Sequence, residues 1–260
     1  MDPVQEHTGT LIRPGLAPLA WKRVEGRNLE GARVPPTRLW LGGFASDMDG
    51  TKARWLAQRS ADQGRGFLRF DYSAHGASGG DWAACRVGTW KNDSLAVIDQ
   101  LTEGPLVLIG SSMGGWMALL AALARPERVA ALVLLAPALD FPRRLTLPRL
   151  SPEQQRAYEA SGYHTLPMQG APDKVLSKAF FDESTAHEVL DKPLPIACPV
   201  RILQGDQDPA VPVSHMEALC AALTGADVVT TRLRDGDHSL SRPTDLQLLG
   251  AILDATEAGL

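Results

Sequence analysis

The 260-residue chain is 44% hydrophobic with a formal net charge of −4, which suffices for one large core and leaves no basic footprint for nucleic acid or an anionic membrane surface. Cys85, Cys198 and Cys220 are odd in number and lack C-x-x-C spacing, which argues against a disulfide framework, a zinc site or a redox motif and predicts buried free thiols in a reducing compartment. No stretch nears the roughly 20 apolar residues that span a bilayer, and residues 1–13, with Asp2 and Glu6, lack the pattern of a signal or transit peptide, so a cytoplasmic location is expected.

Residues 10–12 and 21–24 read as short antiparallel edge strands joined by Pro- and Gly-containing turns. A strand over 38–41 ends in Gly42-Gly43-Phe44, and 47–63 reads as a helix with Met48, Trp55 and Leu56 on one face, stopped by Gly64 and Gly66. A strand over 67–72 runs into the loop 73–80, and a second helix follows with Trp90, Val97, Ile98 and Leu101 on one face. Leu106-Val107-Leu108-Ile109 is a buried strand bounded by Pro105 and Gly110. The apolar run then resumes after a Gly/Ser cluster as a buried helix, closed near Arg125-Pro126, before a strand over 129–135. Nearly continuous apolar strands alternating with helices predict an α/β fold, a mostly parallel central sheet covered by helices on both faces, with ligands bound at the carboxyl ends of the strands.

From 140 to 197 the pattern changes. Pro142, Pro148, Pro152, Pro167 and Pro172 punctuate it, Ser151-Pro152-Glu153-Gln154 has the form of a capping box opening a short helix, and 173–190 reads as another helix. This predicts a small helical lid inserted within one domain, 1–260. Residues 199–203 and 227–233 return to strand, and 243–257 closes the chain as an amphipathic helix.

The chemistry gathers at Gly110-Ser111-Ser112-Met113-Gly114, a G-x-S-x-G match between strand and helix. So sharp a turn strains its central residue, so the flanking positions must be small, and the following helix offers free N–H groups to an oxyanion. Ser112 holds the central position and is the candidate nucleophile, Ser111 being the alternative. A serine hydroxyl needs a base, and the base an orienting acid. Asp206 and Asp208 follow a later strand in Gln204-Gly205-Asp206-Gln207-Asp208, Asp140 follows an earlier one, and His238 follows the last in Asp235-Gly236-Asp237-His238.

Gly205-x-x-Asp208-x-x-Val211-Pro212 and Gly236-Asp237-His238 resemble the acid and histidine signatures of the α/β-hydrolase superfamily. Gly42 to Ala53, Arg69 to Gly76, Gly110 to Trp116 and Ala136 to Phe141 are similar to the group of the tenth α/β-hydrolase-domain protein, palmitoyl-protein thioesterases and acyl-glucuronide esterases with bacterial relatives. The resemblance implies an α/β-hydrolase fold, Asp208 as orienting acid, His238 as base, and hydrolysis of a carboxylic ester or thioester through an acyl-enzyme. The Phe44 and Met113 N–H groups would form the oxyanion hole, although many relatives have His-Gly where this chain has Gly42-Gly43. It implies no metal and no organic cofactor. The expected substrate is a small-molecule acyl ester or thioester, or an acylated protein. Trp116 is read as lining the acyl pocket, and Arg143 and Arg144 as candidates to meet a substrate carboxylate. Asp235 and Asp237 are read as turn residues, His75 as a structural residue, and His164 as a surface or packing residue. Two other readings are a serine peptidase of the same fold and a hydrolase-fold protein that binds a small ligand without turnover.

Overall fold

The computed structural model describes residues 5–27, 35–168, 172–225 and 227–260; the part of the N-terminal reading that falls on residues 1–4 lies outside them. In chain order the elements are β1 (His7–Leu11), β2 (Leu19–Val24), β3 (Thr37–Leu41), α1 (Thr51–Asp62), β4 (Phe67–Phe70), α2 (Val87–Leu101), β5 (Leu106–Ser111), α3 (Met113–Ala124) and β6 (Val129–Leu135). Then come α4 (Pro152–Ser161), β7 (Tyr163–Leu166), β8 (Lys174–Ser177), α5 (Lys178–Ser184), β9 (Val200–Gly205), α6 (Val213–Ala222), β10 (Val228–Leu233) and α7 (Pro243–Glu257). No helix among the described residues is long and apolar enough to cross a membrane.

Eight strands form one sheet in the order β1-β2-β4-β3-β5-β6-β9-β10. The β1–β2 and β2–β4 pairs are antiparallel and the rest parallel, as the edge-strand and parallel-sheet patterns predict. Burial on both faces explains the unbroken apolar strands. Leu106 and Leu108 of β5 pack in one core with Trp90, Trp116 and Leu119, while Val107 and Ile109 pack in the other with Leu56, Leu249 and Leu253. The two-residue period thus sends alternate side chains to α2 and α3 on one face and to α1 and α7 on the other.

The register aligns the carboxyl ends: Leu41 lies opposite Gly110, Ser111 opposite Leu135, Leu135 opposite Leu203, and Gly205 opposite Leu233. β4 flanks β3 on one side and β5 on the other, so the topological switch falls between β3 and β5, where such sheets form their binding crevice.

At the opposite end Arg38 is fully buried, its guanidinium donating to Glu257 at 2.6 and 2.9 Å, to Ser60 at 3.1 Å and to Gln63 at 2.8 Å. A buried charge is tolerable only with partners of this kind. They tie the end of α7 to β3 and α1.

Two of the expected helices differ from the sequence reading. The helix expected from residue 47 starts at Thr51, because the Asp47 carboxylate accepts the Asp49 N–H at 2.8 Å in a local turn that competes with helix. The capping box at Ser151 forms as read: Gln154 N–H donates to Ser151 Oγ at 3.1 Å, and Ser151 N–H donates to Gln154 Oε1 at 2.9 Å. The helix expected over 173–190 is instead strand β8, then α5 from Lys178, where Ser177 Oγ accepts the Phe180 N–H at 3.2 Å and sets the helix start. β8 pairs antiparallel with β7, a hairpin of two four-residue strands that the sequence pattern does not reveal. The thiols are likewise only partly as expected: Cys85 is buried, but Cys198 and Cys220 are half-buried.

Candidate active site

Ser112 sits between the end of β5 and the start of α3 with φ 54° and ψ −122°, a conformation unfavourable for an L-residue. The surrounding bonds hold it there: Ser112 N–H donates to the Leu135 carbonyl at 2.9 Å, and its own carbonyl accepts Gly115 and Ala138 N–H at 2.9 and 3.0 Å. The elbow is also sterically closed. A Cβ on Gly110 would strike the Gly114 backbone, and one on Gly114 would strike the carbonyls of Leu41 and Gly42, so both positions require glycine.

His238 Nε2 lies 3.0 Å from Ser112 Oγ, and His238 Nδ1 lies 2.7 Å from Asp208 Oδ2. Asp208 is buried, and its other oxygen accepts the Ala210 and Val211 N–H groups at 2.8 Å each. These two amides stop the carboxylate from rotating. Three loops from the aligned strand ends therefore deliver one continuous relay, Ser112 to His238 to Asp208.

Beside it the turn after β3 lies against the elbow: a Cβ on Gly43 would meet Ser112 Cβ at 3.5 Å, an ordinary packing contact. Phe44 and Met113 line the same cavity as Ser112 and His238. Met113 opens α3, where the first amides have no intrahelical acceptor. The Phe44 ring is fixed by edge contacts to Trp82, Trp90 and Phe141 at 5.1, 5.8 and 5.3 Å.

The family model described as serine aminopeptidase S33 matches residues 41–157, which include Ser112 but neither Asp208 nor His238. Palmitoyl-protein thioesterase ABHD10 of Rattus norvegicus is 36% identical over 248 residues, 94% of this chain and 80% of the relative. The chain belongs to the ABHD10 family of α/β-hydrolases. Mouse ABHD10 superposes with a TM-score of 0.86 at 35% identity, covering 96% of this chain and 97% of that one. A hydrolase from Agrobacterium vitis S4 gives 0.88 at 36%, covering 98% and 99%.

In this ABHD10-family chain the rival residues have other partners. Ser111 is buried at the end of β5, away from the relay's bonds. Asp206 pairs with Arg232 at 2.8 Å, Asp235 pairs with Arg242 at 2.7 Å, and Asp237 accepts the Ser239 and Leu240 N–H groups. Asp140 is fully buried and accepts Val189 and Leu190 N–H at 3.0 Å, pinning the two ends of the 140–197 segment together. Arg143 and Arg144 are not free for a substrate carboxylate; they pair with Glu188 at 3.3 Å and Asp191 at 2.5 Å.

Trp116 is the clearest correction. It is fully buried, its indole N–H donates to the His187 carbonyl at 3.1 Å, and it does not line the cavity. Its helix position turns the ring into the core, where it meets Phe141 edge-on, and Phe141 is the aromatic ring that reaches the cavity.

That cavity, about 630 Å³, is walled mainly by apolar side chains, among them Met113, Phe141, Leu145, Leu166 and Val211. A second, smaller cavity of about 250 Å³ reaches Ser112 and His238 from the other side and is lined by Ser46, Lys52, Ser239 and Ser241. Lys52 donates to the Ser239 carbonyl and to Ser241 Oγ, bracing the loop that carries His238. Burial lowers its ammonium pKa to about 8, with Asp237 and Asp245 opposing the shift. Nothing in the sequence marks Lys52, because the contact joins residues far apart in the chain.

His75 has the structural role read from its sequence context. Its Nε2 accepts the N–H of Ala45 at 3.0 Å, and its Nδ1 donates to the Ser73 carbonyl at 3.1 Å, so the ring anchors the turn that follows Phe44. Burial lowers the pKa of His75 to about 4, and that of His215 to about 4 as well. Between pH 6.5 and 4 the unfolded chain binds protons at these residues that the folded protein does not. The share of stability carried by these two histidines is therefore complete above pH 6.5 and is lost on acidification, about 3 kcal/mol each, while the buried Asp71, Asp93 and Asp140, whose pKa values are raised by burial, act in the opposite sense. Guanidinium midpoints of the wild type and His215→Gln at pH 7 and pH 4.5 check this: a smaller acid loss in the variant is expected, and the same loss in both contradicts that residue's share.

Proposed function

We propose that this protein is a serine hydrolase that cleaves carboxylic esters or thioesters through an acyl-enzyme on Ser112. The observation that carries the reading is the relay from Ser112 through His238 to Asp208, beside the amides of Phe44 and Met113. His238 Nε2 takes the proton from Ser112 as the oxygen attacks the acyl carbonyl. Asp208 holds the other ring nitrogen and stabilises the imidazolium. The Phe44 and Met113 N–H groups receive the oxyanion, a role in which one donor typically contributes about 3 kcal/mol to the transition state. Collapse expels the alcohol or thiol with the proton from His238, and a water activated by the same base releases the acid.

The larger apolar cavity suits the acyl chain, and the smaller cavity, where Ser46, Lys52, Ser239 and Ser241 stand, suits the leaving group. In this reading the chain is one domain, and 140–197 is a lid that supplies Phe141, Leu145 and Leu166 to the acyl side. The name of the rat relative, palmitoyl-protein thioesterase, supports an acyl thioester on a small molecule or a protein as the substrate class. The free cysteines suit a reducing compartment, and the cytoplasm is the location we propose; the rat relative's name is mitochondrial. The peptidase reading rests on a family model that stops before the acid and base. The intact relay argues against a binding protein without turnover.

A fluorophosphonate probe tests the reading: it is expected to label the wild type stoichiometrically and Ser112→Ala not at all. Labelling that persists in the variant, or none in the wild type, overturns it.

A further inference from the structure

β7 shows a two-residue alternation in burial: Tyr163 and Thr165 are exposed, while His164 and Leu166 face inward and line the apolar cavity that holds Ser112. His164 is 8% exposed. Its ring has no hydrogen bond or ion pair with any described residue, although a neutral imidazole offers one donor and one acceptor. Burial lowers its pKa, which keeps it neutral. The other polar side chains of the wall differ from it. Arg149 donates to the Pro209 and Ala210 carbonyls, Gln154 closes the capping box of α4, and Thr146 is half-exposed. A packing residue at this position would be apolar, like Leu166 and like Leu176, its partner in the hairpin register.

We infer that His164 is a specificity residue for the acyl group, and that the preferred acyl group carries a hydrogen-bonding oxygen beyond its carbonyl, a hydroxyl, oxo or phenolic group that meets the imidazole. An unbranched alkanoyl chain fills the same cavity but leaves the buried ring unpartnered, and sites of this kind discriminate against analogues that lack the polar group. This rests on the serine-hydrolase reading in that the chain filling the cavity is the acyl side of the substrate.

The test is a series of thioesters of one thiol whose acyl chains have equal length and either no substituent or a hydroxyl at successive carbons. In the wild type, one hydroxyl position is expected to raise kcat/KM about tenfold over the plain chain. His164→Leu is expected to abolish that advantage, and His164→Gln, which retains a donor and an acceptor, to keep part of it. No advantage at any position in the wild type, or an advantage that survives in His164→Leu, overturns the inference. Calorimetry on Ser112→Ala with the free acids separates the two readings. The hydroxy acid is expected to bind about tenfold more tightly than the plain acid, and this holds whether or not Ser112 is the nucleophile. Equal binding of the two acids also overturns the inference, whereas failure of the nucleophile reading appears as wild-type protein that hydrolyses no member of the series.

Discussion

Ser112→Ala and His238→Ala are each expected to lower kcat on an activated acyl ester by roughly 10⁶-fold, and the double variant to be no worse than either single one. The reason lies in the 3.0 Å contact between Ser112 Oγ and His238 Nε2. In the proposed mechanism the hydroxyl attacks only as its proton leaves, so removing either partner removes the same step and the losses do not add. The residual rate is expected from the proposed oxyanion donors, the Phe44 and Met113 amides, and from the cavity, which are untouched. Steady-state kinetics on the three variants check this. Losses that multiply in the double variant would mean that the two residues act in separate steps.

Asp208→Asn is expected to reduce kcat by roughly 10⁴-fold with little change in stability. Asp208 Oδ1 accepts two backbone amides, from Ala210 and Val211, and these keep an oxygen at that position in the asparagine variant. The side-chain NH₂ is then turned toward His238 Nδ1, where Oδ2 stood at 2.7 Å. It can only donate, so Nδ1 must accept and the ring proton moves to Nε2, the atom that should take the proton from Ser112. Asp206→Asn removes only an exposed pair with Arg232 and is expected to leave kcat within about twofold, since surface pairs are worth little. Parallel kcat and denaturation measurements decide it. A large loss at Asp206, or a Asp208→Asn loss matched by unfolding, would move the acid's role elsewhere.

These two cases also mark how far the sequence could be read. The elbow at Ser112 was legible because its requirements are local: two glycines that no Cβ could replace, between a buried strand and a buried helix. The parallel core was legible because burial on both faces leaves an apolar run with no polar alternation. Asp208 could be separated from Asp206 only through the family signature, since the two differ in which way the loop turns them. Trp116 failed for the same reason one element on, because sequence spacing does not tell which face of an all-buried helix meets a cavity.

The 140–197 segment was the least legible. Its hairpin strands have four residues each, below the length at which a two-residue period stands out. Arg143 and Arg144 found acidic partners more than 40 residues on. His164 looked like any isolated histidine until the hairpin turned it into the cavity.

The central claim, an acyl group carried on Ser112, is tested most directly by intact-protein and peptide mass spectrometry after rapid acid quench of an acyl thioester reaction. The expected result is one acyl adduct per chain, on the peptide containing Ser112, absent from Ser112→Ala and released with time in the wild type. Turnover with no adduct, or an adduct on Ser111 or Cys85 instead, would contradict it.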